Sequence, residues 1–300
     1  MSNRPARRLF IAGALAFAIA GSPMAALAQA APPAGELRMA VTDIVGLENL
    51  QREWGAFQRV LQQRTGLSIR FYPVPNRTAA VEALSAKRVD MVLTGPAEYV
   101  VFKVRTDAVP VVGLTRLDYF ANIVVRADST YNILADLRGQ RIGLGSIGST
   151  SRHLGPLQVL ADQGIDPKTD LRTVHLATSV LLESLVRGDI AAAGINNTDL
   201  ARLRERNPGV VFRVIGRGRD LPIDLILAGS HVEPAMVERM RDAFRRHGPE
   251  LTAAILEAGG ENLKFSGMQW VPTIRDEDYN YVRRMYGTIG QPQFAAFVGD

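Results

Sequence analysis

Three consecutive hydroxyl residues, Ser149-Thr150-Ser151, follow the glycine-rich run Gly143-Leu144-Gly145-Ser146-Ile147-Gly148. A strand is predicted over 141–144 and a helix over 154–161, so the hydroxyls fall where main-chain N–H groups lack intrahelical acceptors and the helix macrodipole is positive. Neutral O–H donors beside such amides suit a tetrahedral oxyanion. For an isolated triplet the plainer reading is an N-cap with spare hydroxyls.

The same glycines formally match G-x-G-x-x-G. A dinucleotide site also needs an acid at the end of the following strand, and here that strand ends His175-Leu176-Ala177-Thr178. Hydrolysis is no better supported. Ser146 has Leu144 rather than glycine two residues before it, so the nucleophile elbow fails. His153, His175, His231 and His247 show no metal-binding spacing. No catalytic residue, metal or cofactor is expected.

The elements that must hold the triplet alternate in type. Strands are predicted over 37–41, 67–72 and 89–93, separated by a helix carrying Trp54, Phe57, Val60 and Leu61, which ends at Thr65-Gly66, and by one carrying Ala79, Val81, Ala83 and Leu84; Gly95-Pro96 opens the next helix. The alternation restarts with strands at 123–125, 141–144, 171–176, 191–195, 210–215 and 225–228 and helices at 154–161, 180–186 and 199–206. Beyond Pro234 the pattern is mainly helical, over 236–246, 251–256 and 276–286. Alternating strand and helix predicts α/β architecture with mostly parallel sheets, and the restart predicts two lobes with a ligand cleft between them.

Composition sets the compartment and excludes several partners. The chain has 300 residues, is 47% hydrophobic and 22% charged, lacks cysteine and carries a formal +5. Residues 1–28 place Arg4, Arg7 and Arg8 before an apolar run at 9–20 and end in Ala26-Leu27-Ala28, the pattern of a secretory signal peptide. Arg7-Arg8 before Leu9-Phe10-Ile11 also fits a twin-arginine signal in part. Without those three arginines the 35 basic residues become 32 against 30 acidic, a formal +2, so no nucleic-acid partner is expected. An exported chain, away from ATP and nicotinamide pools, is expected to bind, scaffold or hydrolyse rather than act as a kinase or dehydrogenase.

The motifs Pro75-Asn76-Arg77, Lys87-Arg88-Val89-Asp90-Met91 with Thr94-Gly95-Pro96, Tyr119-Phe120, Asp136-Leu137-Arg138-Gly139, Gly145 to Ser151, Asn196-Asn197-Thr198-Asp199 and Leu221-Pro222-Ile223-Asp224 occur in that order. In their order and spacing, from Leu37 to about Glu257, the chain resembles the periplasmic solute-binding proteins of phosphonate-, phosphite- and phosphate-type ABC transporters (PhnD-like). The resemblance implies a type II two-lobed fold hinged by two crossover strands. With the signal peptide at 1–28, lobe 1 is expected at 36–121 plus 226–300 and lobe 2 at 122–225. It also implies a small oxyanion ligand, a membrane permease as partner, and a monomer. A periplasmic sensor presenting its liganded form to a membrane histidine kinase is the alternative. Arsenite-sensing relatives use cysteine, which this chain lacks.

By position, Ser149, Thr150 and Ser151 match the family's oxyanion cradle, Tyr119 an aromatic at the lobe junction, Asp224 a carboxylate near the second hinge, and Asp199 an acid that helps recognise the amine of amine-bearing phosphonates. Tyr119 also reads as a core aromatic, and Asp199 as a first-turn helix carboxylate. Three positions depart from the family. Arg77 replaces a tyrosine, Arg152 a glycine, and Thr178 and Ser179 stand where a histidine is usual. Two gained cations suggest a different or more highly charged ligand, unless both arginines are ordinary surface residues. An ionised Asp224 only accepts hydrogen bonds, so beside an oxyanion it requires a ligand carrying a proton or an ammonium group, unless it pairs with an arginine across the cleft.

Overall fold

The computed structural model describes residues 35–299; the expected export segment at 1–28 lies outside the described residues. The first half of the chain alternates as its sequence pattern requires: β1 (Glu36–Val41), α1 (Leu47–Thr65), β2 (Ser68–Phe71), α2 (Arg77–Ser85), β3 (Met91–Thr94), α3 (Pro96–Arg105) and β4 (Val109–Leu114). The chain then crosses to a second set: β5 (Phe120–Arg126), β6 (Arg141–Leu144), a π-helical turn at Thr150–Leu154, α4 (Gly155–Ala161), β7 (Arg172–His175), α5 (Thr178–Arg187), β8 (Ala192–Asn196), α6 (Asn197–Arg206) and β9 (Phe212–Asp220). It returns through β10 (Asp224–Ala228), α7 (Pro234–Leu256), β11 (Trp270–Val271) and α8 (Asn280–Thr288).

Two sheets result, ordered β11-β4-β10-β3-β1-β2 and β7-β6-β8-β5-β9, each with a hydrophobic cluster on both faces. The expectation of mostly parallel sheets needs correction. Parallel pairing is confined to β2-β1-β3 and β7-β6-β8, and five of the nine pairings are antiparallel. The reason is the double crossing. β10 returns from the second lobe and inserts between β3 and β4, and β5 enters from the first lobe and inserts between β8 and β9, each against the direction of its neighbours. The hydrophobic pattern does not anticipate β4, because Pro110 interrupts it; the proline is tolerated at a register shift opposite Leu227.

Local chemistry explains the helices that frame the cleft. In α1, Leu50, Trp54, Phe57 and Leu61 recur at helical spacing on one buried face, and Gly66 ends the helix in the left-handed conformation at φ 65°, its N–H donating to the Gln62 carbonyl. Trp54 meets Phe57 and Phe265 edge-on at centroid distances of 5.6 and 5.9 Å, which seats the 260–265 turn against α1. Asn76 caps α2 by accepting from the Ala79 N–H at 2.8 Å, and Pro96 occupies the first turn of α3.

The two sheets are tied at several points besides the crossings. Segments 115–119 and 221–223 are bonded to each other, Leu221 N–H donating to the Tyr119 carbonyl at 2.8 Å. The C-terminal α8 packs on both α3 and α4: the Tyr286 hydroxyl donates to the Ala97 carbonyl at 3.0 Å, and the Thr288 hydroxyl to Gln158 Oε1 at 2.7 Å. Across the mouth, Glu261 from the first lobe's 260–265 turn meets Arg152 of the second lobe at 3.1 Å and also pairs with Arg202. Burial alone would raise the Glu261 pKa, but Arg152 and Arg202 outweigh it and hold the group at about 2.

Two outcomes follow. Trp54→Ala empties the centre of the aromatic cluster and lowers stability by about 3–5 kcal/mol, read by urea denaturation; a loss under about 1 kcal/mol would contradict that packing role. Because the folded-state pKa of Glu261 lies below its ordinary 4.5, its stabilisation is present above pH 4.5 and disappears as pH falls towards 2. Glu261→Gln therefore loses less stability than the unmodified chain between pH 4.5 and 2, whereas parallel acid profiles would remove Glu261 from the interlobe contact.

Candidate functional site

In open α/β sheets the loops beyond the carboxyl ends of the strands are where side chains converge. Here β1 delivers Asp43, β2 leads to Arg77 at the start of α2, and β3 leads to Gly95 and to Glu98 in the first turn of α3. The first crossing supplies Arg116 and Tyr119, β10 begins with Asp224, and the 260–265 turn brings Lys264. From the other lobe come Ser149, Thr150, Ser151 and Arg152 after β6, and Asn196 at the end of β8. Together these residues enclose a cavity of about 20 Å³, roughly the room of one water.

The hydroxyl triplet sits on a π-helical turn rather than at the start of an ordinary helix. Ser149's carbonyl receives both His153 and Leu154 N–H at 3.0 Å, and the amides of Thr150, Ser151 and Arg152 precede these bonds. Thr150 is already used across the cleft: its Oγ1 accepts from the Ala97 N–H, at the opening of α3, at 3.0 Å. Ser151 Oγ accepts from Asn196 Nδ2 at 3.3 Å. Helix N-termini from both lobes therefore face the same small volume.

Charge is densely packed and almost fully matched. Arg77 pairs with Asp43 at 2.6 Å and with Glu98; Lys264 pairs with Asp43 at 2.9 Å; Arg116 lies 3.5 Å from Asp224 and stacks over the Tyr119 ring at 3.6 Å. Arg152 forms a two-pronged pair with Asp199 at 2.6 and 2.8 Å. Three cations, Arg77, Arg116 and Lys264, thus face three carboxylates, Asp43, Glu98 and Asp224, while Arg152 is balanced by Asp199 and Glu261. Arg77 and Arg152, the two cations expected to bear on the ligand's charge, are largely buried rather than on the open surface, and each is paired with carboxylates.

Two acceptors remain without partners. Glu98 Oε2 and Asp224 Oδ1 are buried and unbonded, and a Cβ placed on Gly95 would lie 3.1 and 3.6 Å from them and 3.8 Å from Thr150 Oγ1. A side chain at Gly95 would crowd Glu98 Oε2 and sit in contact with Asp224 Oδ1 and Thr150 Oγ1. Burial raises the Asp224 pKa, and Arg116 offsets this only in part. Burial likewise raises the Tyr119 phenol.

Seven of the ten residues singled out in the sequence line the cavity: Ser149, Thr150, Ser151, Tyr119, Asp224, Arg77 and Arg152. Asp199 lies behind the wall with its side chain fully inaccessible, capping α6 through the Asn196 N–H and anchoring Arg152. Thr178 and Ser179, at the first turn of α5, are not among the lining residues. His153 lies beside the cradle without lining it. Its Nδ1 accepts from the Gly148 N–H at 3.0 Å, and burial, with His175 adjacent, lowers its pKa to about 4. The motifs do not reveal Asp43, Glu98, Arg116 and Lys264. Glu98 carries a usable signal, an acid in the first turn of a helix opened by Gly95-Pro96 at a strand end; Lys264, far along the chain, carries none.

Comparison with known proteins identifies the family and the fold. The family model described as "ABC transporter, phosphonate, periplasmic substrate-binding protein" matches residues 40–279, reaching beyond the Glu257 limit of the sequence resemblance. Among solved structures, PhnD1 from Prochlorococcus marinus in complex with methylphosphonate superposes with a TM-score of 0.70 at 16% identity, covering 86% of this chain and 99% of that one. A binding protein component of an ABC phosphonate transporter from Pseudomonas aeruginosa gives 0.67 at 18% identity, covering 83% and 85%. The aliphatic sulphonate binding protein SsuA from Escherichia coli gives 0.59 at 16% identity, covering 87% and 93%. The structural likenesses establish the type II two-lobed fold, and the family match spans most of the chain. The chain belongs to the periplasmic substrate-binding proteins of phosphonate ABC transporters.

Proposed function

We propose that this protein captures a phosphonate-type oxyanion in the cavity between its lobes, in a form that brings its own hydrogen-bond donor, and presents the closed complex to a membrane permease. The observation that carries the reading is the pair of unpartnered buried acceptors, Glu98 Oε2 and Asp224 Oδ1, beside the Thr150 hydroxyl. A bare dianion would face these carboxylates with nothing to donate, and the wall cations are already matched. A singly protonated phosphonate, or one bearing an ammonium group, satisfies an orphan oxygen and leaves its remaining oxygens for the Ser149, Thr150 and Ser151 hydroxyls and the amides beside them. Sulfate, which carries no proton near neutrality, is rejected.

Entry requires the lobes to part, since the cavity is too small for any phosphonate as it stands. The moving bodies are 36–121 with 226–300, and 122–225, turning on segments 115–119 and 221–223. Their return exchanges the Thr150 to Ala97 bond for ligand contacts. This places binding and closure in one step, as delivery to a permease requires. Methylphosphonate, the molecule held by the Prochlorococcus marinus protein, is the natural first probe.

Calorimetry on protein stripped of carried-over ligand tests the reading with methylphosphonate, phosphate, phosphite, 2-aminoethylphosphonate and sulfate. At least one phosphorus oxyanion binds and sulfate does not; silence towards all phosphorus oxyanions would overturn the ligand class. Thr150→Ala removes a donor to a charged oxygen and weakens every bound oxyanion by roughly 10- to 100-fold. Asp224→Asn supplies a donor where an acceptor stood, so the preference for methylphosphonate over sulfate narrows. Equal losses for both anions would contradict the acceptor role.

A further inference from the structure

The head cavity leaves no room for the organic part of a ligand, and the structure places a second chamber directly beside it. This chamber, of about 280 Å³, shares the Arg77 and Glu98 side chains with the head cavity as a common wall. Its apolar lining comes from both lobes, Val81 and Val101 from α2 and α3, Ile147 from the turn after β6, and Tyr286, Ile289 and Phe294 from the C-terminal segment, while Thr78, Arg105, His153, Gln291 and Gln293 add polar groups. The chamber therefore takes shape only when the lobes meet, as the head cavity does.

We infer that this chamber receives the organic arm of the ligand, and that the preferred substrate is a phosphonate carrying an apolar arm up to the size of an aromatic ring. The inference rests on the proposed phosphonate reading. Three observations support it. The partition is a side chain and not backbone: the Arg77 stem lies against Gly148, where an added Cβ would be 3.4 Å from Arg77 Cδ, while its guanidinium reaches across to Asp43 and Glu98. A side-chain partition yields by a shift of the flexible Arg77 stem, so an arm passes from the head cavity into the chamber without movement of the backbone. Ile147 is 71% exposed at the chamber wall, next to the hydroxyl cradle, so an apolar arm passing there covers hydrophobic surface left in water. The Tyr286 and Phe294 rings, tilted at 57° with centroids 5.2 Å apart, give the chamber an aromatic side against which a flat arm packs. Apolar atoms make up most of the chamber's exposed surface, as in sites for small organic molecules, with polar side chains among them.

Titration calorimetry with methylphosphonate and phenylphosphonate on the ligand-free protein is the test. Phenylphosphonate binds at least tenfold more tightly. In Val101→Trp, which fills the chamber from α3, and in Ile147→Ser, whose exposed position spares the fold, the ratio of phenyl to methyl affinity falls towards one. If methylphosphonate binds and phenylphosphonate binds no better, or if both variants keep the ratio, the arm chamber is overturned while the phosphonate reading stands. If neither ligand binds, the phosphonate reading itself falls and carries this inference with it.

Discussion

Closing two lobes over a polar cleft removes ionised groups from water, and each is tolerated only when an opposite charge or a hydrogen-bond partner meets it. That constraint organises this molecule. Asp43, Glu98 and Asp224 on one side of the cleft are answered by Arg77, Arg116 and Lys264, and Arg152 by Asp199 and Glu261. The loops after the parallel strands of both lobes, and the start of the returning strand β10, bring these groups to one cavity. The matching leaves two carboxylate oxygens beside Gly95, Glu98 Oε2 and Asp224 Oδ1, without a donor.

The same constraint explains how two arginines share one small site. Arg77 and Arg152 would flood a small cavity with positive charge if each were unanswered. Arg152 instead turns away from the triplet to a fully buried Asp199, and Arg77 is shared by two carboxylates on its own lobe. Arg152 thus ties the lobes through Glu261, and Arg77 holds Asp43 and Glu98 on its own side of the cleft. Residues of one type have different jobs because their carboxylate partners lie in different places.

Much of this was legible in the sequence because it is local. The strand and helix alternation, the Gly66 cap, the turn carrying Ser149 to Ser151 and the restart at the second lobe all follow from periodicity and short-range chemistry. The pairing direction of β5 and β10 was not, since it depends on a chain that crosses twice and returns between strands distant in sequence. Asp199 was visible as an acid in a helix's first turn, but only the fold reveals that it faces Arg152. Lys264 and Arg116 were invisible for a related reason: an isolated cation in a loop carries no period, cap or motif, and its role comes entirely from the carboxylate placed opposite.

The central claim is that the ligand must bring a donor to the orphaned carboxylates. Calorimetric titration with methylphosphonate, in two buffers of different ionisation heat and at a pH where the free ligand is a dianion, tests it most directly. The account predicts net uptake of a proton as the complex forms. Binding without proton uptake, or with proton release, would contradict it.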